Sequence, residues 1–202
     1  MEHYIAGYGG HAKVIYQITQ EYDLKISGFL NIPLKKKFNP PSNILGIPVI
    51  NLKLAKKNSS IYIGIGDNND RSTTFDLLKK KFKLPYLISK KSILHPSVKV
   101  GLATVIFPNS VININASIGK NSIINSGAII EHEVSIKDNV SISPGAIVCG
   151  KSKIGKNSFI GAGTVVQQNI KIGNNCTIGS GSNVIDNVGN NKLLFGNPAR
   201  IR

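Results

Sequence analysis

The 202-residue sequence contains no tryptophan, one methionine and two cysteines. Cys149 and Cys176 are too few for a disulfide framework, and neither sits in a Cys-x-x-Cys or Cys/His cluster, so a structural zinc site is excluded. No run approaches the roughly 18 apolar residues that would span a bilayer. Met1-Glu2-His3-Tyr4 has neither a basic segment nor a long apolar core, and the expectation is a soluble cytoplasmic protein. Acids are scarce too, 10 Asp and Glu against 25 Lys and Arg, for a net charge of +15. Arginines are few as well. The basic excess lies in lysine runs such as Lys35-Lys36-Lys37, Lys56-Lys57 and Lys79-Lys80-Lys81, without interleaved aromatics. Nucleic-acid recognition draws on clustered arginines that make bidentate contacts, so the charge reads as solvated surface bias. At 41% hydrophobic and 17% charged residues the chain is not disordered and suits one large or two small globular domains.

The second half has a period of six. Every sixth residue from Leu94 to Val184 is Leu, Ile or Val, and the residue four places after each is never charged and mostly small, as at Thr104, Ala128, Ser158 and Ser182. Such a register arises by chance about once in 10⁸, so it is architecture. A helix wants a period of 3.6 and an amphipathic strand wants 2. Six fits one flat face of a triangular solenoid, a short strand with its branched residue inward followed by a turn with a small residue at the corner. Three hexads make a coil of about eighteen residues, and residues 93 to 188 stack into about five coils of a left-handed parallel β-helix. The turns Gly119-Lys120-Asn121, Gly155-Lys156-Asn157 and Gly173-Asn174-Asn175 hold residues that tolerate positive φ. Cys176 falls on a small-residue corner as a compact filler, and Cys149, just after the inward Val148, points outward. Phe107, Ile114, Ile129 and Phe159 fall outside the inward register, and packing three prisms edge to edge would bury them.

Residues 1–91 read differently. Residues 2 to 7 form a short buried strand ending in Gly7-Tyr8-Gly9-Gly10-His11-Ala12-Lys13, and the spacing of Val14, Ile15, Ile18 and Tyr22 predicts a helix. Strand, glycine turn and helix N-terminus make an anion site, because backbone N–H groups and the helix dipole point at the ligand. Ile26 to Asn31 reads as a second strand, and Asn31 stands where a nucleotide fold places an acid for the ribose or base. Ile61 to Asn68 reads as a third strand running through Gly66-Asp67 into a helix with Arg71, Phe75, Leu78 and Phe82. Three β–α units predict a small Rossmann-like half-domain for a mononucleotide sugar, bound by Gly7, Gly9, Gly10, His11, Asn31, Gly66 and Asp67. Residues 34 to 43 read as a loop, and 84 to 93 as the joint to a β-helix domain with a C-terminal tail, 92–202.

His132 is the candidate base. It sits two places after the inward Ile130, where the coil turns outward, and imidazole is the side chain suited to take up a proton near neutral pH. Glu131 or Glu133 could orient the ring. Eighteen residues on, Gly150 lies one rung above, with a backbone N–H suited to a developing oxyanion. A solenoid carbonic anhydrase needs about three metal-binding histidines. The solenoid here has only His95 and His132.

The glycine turn, the segment Ile63-Gly64-Ile65-Gly66-Asp67-Asn68 with Arg71, Leu94-His95-Pro96-Ser97 opening the repeats, Ile129 to Glu133 and the closing Gly196-Asn197-Pro198-Ala199-Arg200 together resemble one family across nearly the whole chain. It is the sialic-acid-synthesis-type and bacillosamine-type nucleotide-amino-sugar N-acetyltransferases. The resemblance implies a homotrimer, acetyl-CoA as donor and a nucleotide-linked 4-amino sugar as acceptor. It also implies His132 with Glu133 as the catalytic pair, the Gly150 contact to the thioester, and a groove between subunits in which Ala162 and Ser180 meet the pantetheine. Two positions depart from it: Ser141 stands where bacillosamine-type members carry a second histidine that helps hold the donor, and Asn31 replaces a frequent acid. O-acetyl transfer to a sugar hydroxyl and a non-catalytic nucleotide-sugar-binding scaffold are the competing readings. Both implied ligands are multiply anionic, so the basic surface would speed their encounter.

Overall fold

The computed structural model describes residues 1–34 and 39–202. The run Lys35-Lys36-Lys37 and part of the loop expected over 34 to 43 lie outside the described residues. The chain forms two compact units, Met1–Leu87 and Ile88–Arg202. Among the described residues no helix is long and apolar enough to cross a membrane.

The first unit has β1 (His3–Ala6), α1 (Gly10–Gln20), β2 (Ile26–Asn31), β3 (Asn43–Ile44), β4 (Ile47–Asn51), β5 (Ser60–Ile63) and α2 (Asn68–Leu78). The sheet order is β3-β4-β2-β1-β5, with β4, β2, β1 and β5 parallel and β3 antiparallel to β4. Ile5, Phe29, Leu30, Ile61 and Ile63 fill its core from the strands, and Ala12, Ile15 and Ile18 from α1. Only two of the three expected β–α units carry a helix among the described residues. The connection after β2 instead returns through the β3–β4 hairpin, whose turn Leu45-Gly46 has φ of 53° and 76°. Such a turn usually signals itself by Asn-Gly or Asp-Gly, and Leu45 hides it.

The second unit is a parallel β-helix. Two-residue strands pair with the strand eighteen residues on, Ile130 with Val148 and Ile136 with Ile154, and build three sheets of six, five and eight strands. The antiparallel pair Leu193–Phe195 and Arg200–Ile201 closes the eight-stranded sheet. From Ile106 to Val184 the six-residue register is buried, while Leu94 and Val100 at the first coil are partly covered. The residues four places on point inward as well. Thr104, Ser122, Ser152 and Ser158 are fully buried, and their hydroxyls donate to a carbonyl of the next rung, as Ser158 does to Gly173 at 2.8 Å. The same Ser158 oxygen accepts from Cys176 N–H at 3.0 Å. Where a corner carries Ser or Thr, its hydroxyl therefore satisfies buried backbone. Cys176 fills that role with its thiol, 3.0 Å from Gly189 O.

Glycine and asparagine divide the turn work. Asn121, Asn139, Asn157 and Asn175 take the positive φ and form a side-chain ladder, each amide donating to the asparagine of the next rung at 2.8 to 3.1 Å. Gly119 and Gly155 do not have positive φ. They are needed because a Cβ at Gly155 would lie 2.3 Å from the backbone of Gly173. Of the apolar residues expected to face outward, Ile114 and Phe159 are exposed and Ile129 partly so. Phe107 is 2% exposed within the single chain and is unavailable to pack against another copy.

Candidate active site

In the first unit, β1 ends at Gly7, whose φ of 98° turns the chain toward α1. Gly9 is the helix N-cap, and no side chain caps it. A Cβ on Gly9 or Gly10 would meet nothing within 4 Å, so the turn opens onto space. Gly64, after β5, is different: a Cβ there would lie 2.8 Å from Ala12, and this fit brings α1 against the sheet. The resulting cavity, about 830 Å³, is lined by Gly7, Gly9, Gly10, His11, Asn31 and Gly66, and by Tyr8, Ile32, Leu34 and Ile65 among others. An uncapped helix N-terminus over glycines suits an anion, and the apolar wall suits a flat ring.

Asp67, expected to bind ligand, caps α2 with one of its carboxylate oxygens. Its Oδ1 accepts from the N–H groups of Asn69 and Asp70, both at 2.9 Å. Arg71, not expected in the site, is buried behind the cavity wall and donates to Gly66 O at 2.7 Å and Asn68 Oδ1 at 2.8 Å. Burial lowers its pKa to about 10, against the opposing pull of Asp67, so it stays cationic at neutral pH. Arg71 thus ties Gly66 to the start of α2.

Burial, helped by the Arg71 charge, lowers the His11 pKa to about 4 from 6.5. The folded state therefore holds His11 neutral, and its contribution to stability is complete above about pH 6.5 and falls away as pH drops toward 4. The full loss is about 3 kcal/mol. His11→Gln is expected to flatten the decline in Tm between pH 7 and 4.5. An unchanged decline would assign the acid sensitivity to other groups.

In the second unit, His132 is the second residue of the turn Glu131-His132-Glu133-Val134, which leaves the strand Ile129–Ile130. Ile130 and Val134 point into the core, which forces His132 and Glu133 outward. His132 Nδ1 lies 3.1 Å from Glu133 Oε2, with both side chains about half exposed. An ionised carboxylate can only accept, so this contact selects the ring's Nδ1–H tautomer, in which Nε2 is the nitrogen that can accept a proton. Gly150 is directly above: a Cβ there would fall 2.5 Å from Nε2 and 2.6 Å from Cε1. The ring rests in the space that glycine leaves. The amides of Cys149 and Lys151 bond to Val166 O and His132 O, whereas that of Gly150 takes no part in the rung ladder.

The other carboxylate, Glu131, accepts from Asn113 Nδ2 at 3.0 Å, one rung below, which leaves Glu133 as the partner of the imidazole. Lys151, also not anticipated, lies 3.9 Å from Glu133 Oε2. Its signal in the sequence was available, since it stands eighteen residues past Glu133. The remaining expected residues are elsewhere on the prism. Ala162 and Ser180 are exposed and stacked on the corner that follows the eight-stranded sheet, and Gly181 N–H donates to Ala162 O at 2.8 Å. Ser141 is buried on that sheet itself, paired between Ile123 and Phe159. One chain thus brings together His132, Glu133 and Gly150 but not the other three.

Residues 3–78 match the family model described as PglD N-terminal domain, and residues 151–186 match that of the bacterial transferase hexapeptide repeats. No curated protein matches the sequence at a significant level. Among solved structures, the acetyltransferase domain of PglB from Neisseria gonorrhoeae FA1090 in complex with acetyl coenzyme A is 26% identical, with 100% of this chain and 98% of that one covered and a TM-score of 0.89. PerB from Caulobacter crescentus, in complex with CoA and GDP-perosamine, is 25% identical over 100% and 97%, at a TM-score of 0.90. A mutant of perosamine N-acetyltransferase from Caulobacter crescentus shares the fold at 24% identity over 100% and 97%, with a TM-score of 0.90. The two domain matches follow the order of the two units, and the solved acetyltransferases share the architecture over the whole chain, so the chain is an acyltransferase that joins a PglD-type N-terminal domain to hexapeptide-transferase repeats.

Proposed function

We propose that the protein transfers the acetyl group of acetyl-CoA to the 4-amino group of a nucleotide-linked amino sugar. The observation that carries this reading is the His132–Glu133 pair resting on Gly150 at an exposed corner. Solved relatives hold acetyl-CoA, or CoA with GDP-perosamine, which supports both substrate classes. The cavity of the first unit binds the nucleotide, its phosphates at the uncapped N-terminus of α1 and its base against the apolar wall near Asn31.

The amine nitrogen attacks the thioester carbonyl as His132 Nε2 removes its proton, and Glu133 stabilises the imidazolium at Nδ1. Gly150 N–H donates to the oxygen that becomes anionic. When the tetrahedral intermediate collapses, the carbon–sulfur bond breaks and the imidazolium returns the proton to the departing thiolate. The acetyl group passes directly to nitrogen, and no residue of the protein is acetylated.

A homotrimer accounts for the separation of Ala162 and Ser180 from His132. These two line the pantetheine groove from the corner of a neighbouring copy, and Ile114 and Phe159, 45% and 38% exposed in the single chain, are covered there. Ser141 supports the donor side, more weakly than a histidine would. The test is thiol release from acetyl-CoA against UDP-, GDP- and dTDP-linked 4-amino sugars, with the mass of the assembly measured in the same buffer. Release with at least one amino sugar and a trimeric mass are expected. Silence across the panel defeats the transferase reading, and an active monomer defeats the shared groove.

A further inference from the structure

We infer that Lys151 is a positioning residue for the His132–Glu133 pair, an inference that rests on the base assignment above. At this corner the third residue of four successive turns has a left-handed backbone, with φ of 60° at Asn115, 59° at Glu133, 62° at Lys151 and 63° at Asn169. Asparagine suits that conformation, because its short amide bonds locally, whereas other side chains cost roughly 1 kcal/mol or more there. Two successive rungs nevertheless carry long side chains of opposite charge. The backbone does not ask for them.

The contact they make lies on the catalytic pair. Lys151 Nζ is 3.9 Å from Glu133 Oε2, the oxygen that faces His132 Nδ1 at 3.1 Å. Lys151 also donates its backbone N–H to His132 O at 3.0 Å, and its neighbour Gly150 is the surface on which the imidazole rests. Lys151 therefore reaches the pair from the rung above through both its main chain and its side chain. Glu133 is half exposed and directly follows His132, so its carboxylate has rotamers that point into water. An ammonium on the same oxygen favours the rotamer that meets Nδ1, and the ring keeps its orientation. Glu131, the other charged group at this turn, is engaged by Asn113 and does not compete.

A half-exposed ion pair is modest in energy, which sets the expected effect at about two- to five-fold in kcat. Lys151→Asn tests it, because asparagine is the residue that this corner carries at 115 and 169 and keeps the backbone content. The expected result is a kcat lower by about two- to five-fold, an unchanged KM for both substrates, a Tm unchanged or raised, and recovery in Lys151→Arg. Full kcat in Lys151→Asn, no recovery in Lys151→Arg, or a loss that appears in KM would overturn the assignment. Full activity of His132→Ala in the same assay would instead remove the base itself, and the positioning role with it.

Discussion

Replacing His132 with alanine is expected to lower kcat by about 10² to 10⁴-fold, the range that a positioned general base contributes. The fold should not notice. The side chain is half exposed and fills no part of the core, which is built by Ile130 and Val134 on either side of it. Binding of acetyl-CoA should survive as well, because neither Gly150 N–H nor the far corner with Ala162 and Ser180 depends on the imidazole. A variant with wild-type Tm and donor affinity but almost no turnover is the predicted outcome. Equal turnover in mutant and wild type would leave His132 an idle surface residue and return the protein to the scaffold reading.

Gly150→Ala should produce the second largest loss, by a different route. The new methyl would sit 2.5 Å from Nε2 and 2.6 Å from Cε1 of His132. Backbone does not yield easily on a stacked rung, but a half-exposed ring does, so the imidazole swings away and the strain is relieved there. A displacement of about an ångström is enough to cost on the order of 10²-fold in rate. Thermal stability should move by only a few degrees. If turnover of Gly150→Ala stays within about two-fold of wild type, the ring is not held where the chemistry requires it to be. Gly155→Ala would be a poor control, because its Cβ would meet the Gly173 backbone at 2.3 Å and the solenoid itself would have to shift.

Much of this was readable from the chain because the solenoid couples sequence to space with a fixed step. A residue eighteen places on lies directly above, which puts Gly150 over His132 from the sequence alone. The same step puts Ala162, thirty residues on, one coil and two further faces from His132, on another corner, as a groove between subunits requires. Phe107 was misread, since the six-residue register says which way a residue starts from the backbone but not whether something covers it. In the first unit the glycine turn and β2 were legible from composition and spacing. The β3–β4 hairpin was not, because Leu45 takes a left-handed turn position that rarely admits leucine. Asp67 looked like a ligand group, and an aspartate at a strand end is ambiguous in sequence. Its Oδ1 accepts from the N–H groups of Asn69 and Asp70, a capping role that composition and spacing do not reveal.

The +15 charge has a narrower part than its size suggests. Polyanionic substrates are drawn to such a surface, and their association should slow as salt rises. In the proposed mechanism selectivity is assigned to neutral groups, namely the glycine turn, Asn31 and the backbone of Gly150.

Direct acetyl transfer to an amine at the His132 corner is open to one decisive measurement. A single-turnover experiment with acetyl-labelled acetyl-CoA and a nucleotide-linked 4-amino sugar tests it, with label followed in the sugar and in the intact protein. Label is expected to pass to the amine, the protein to remain unlabelled throughout, and label to stay on CoA in His132→Ala. Label held by the protein before acceptor is added, or transfer at the wild-type rate in His132→Ala, would contradict it.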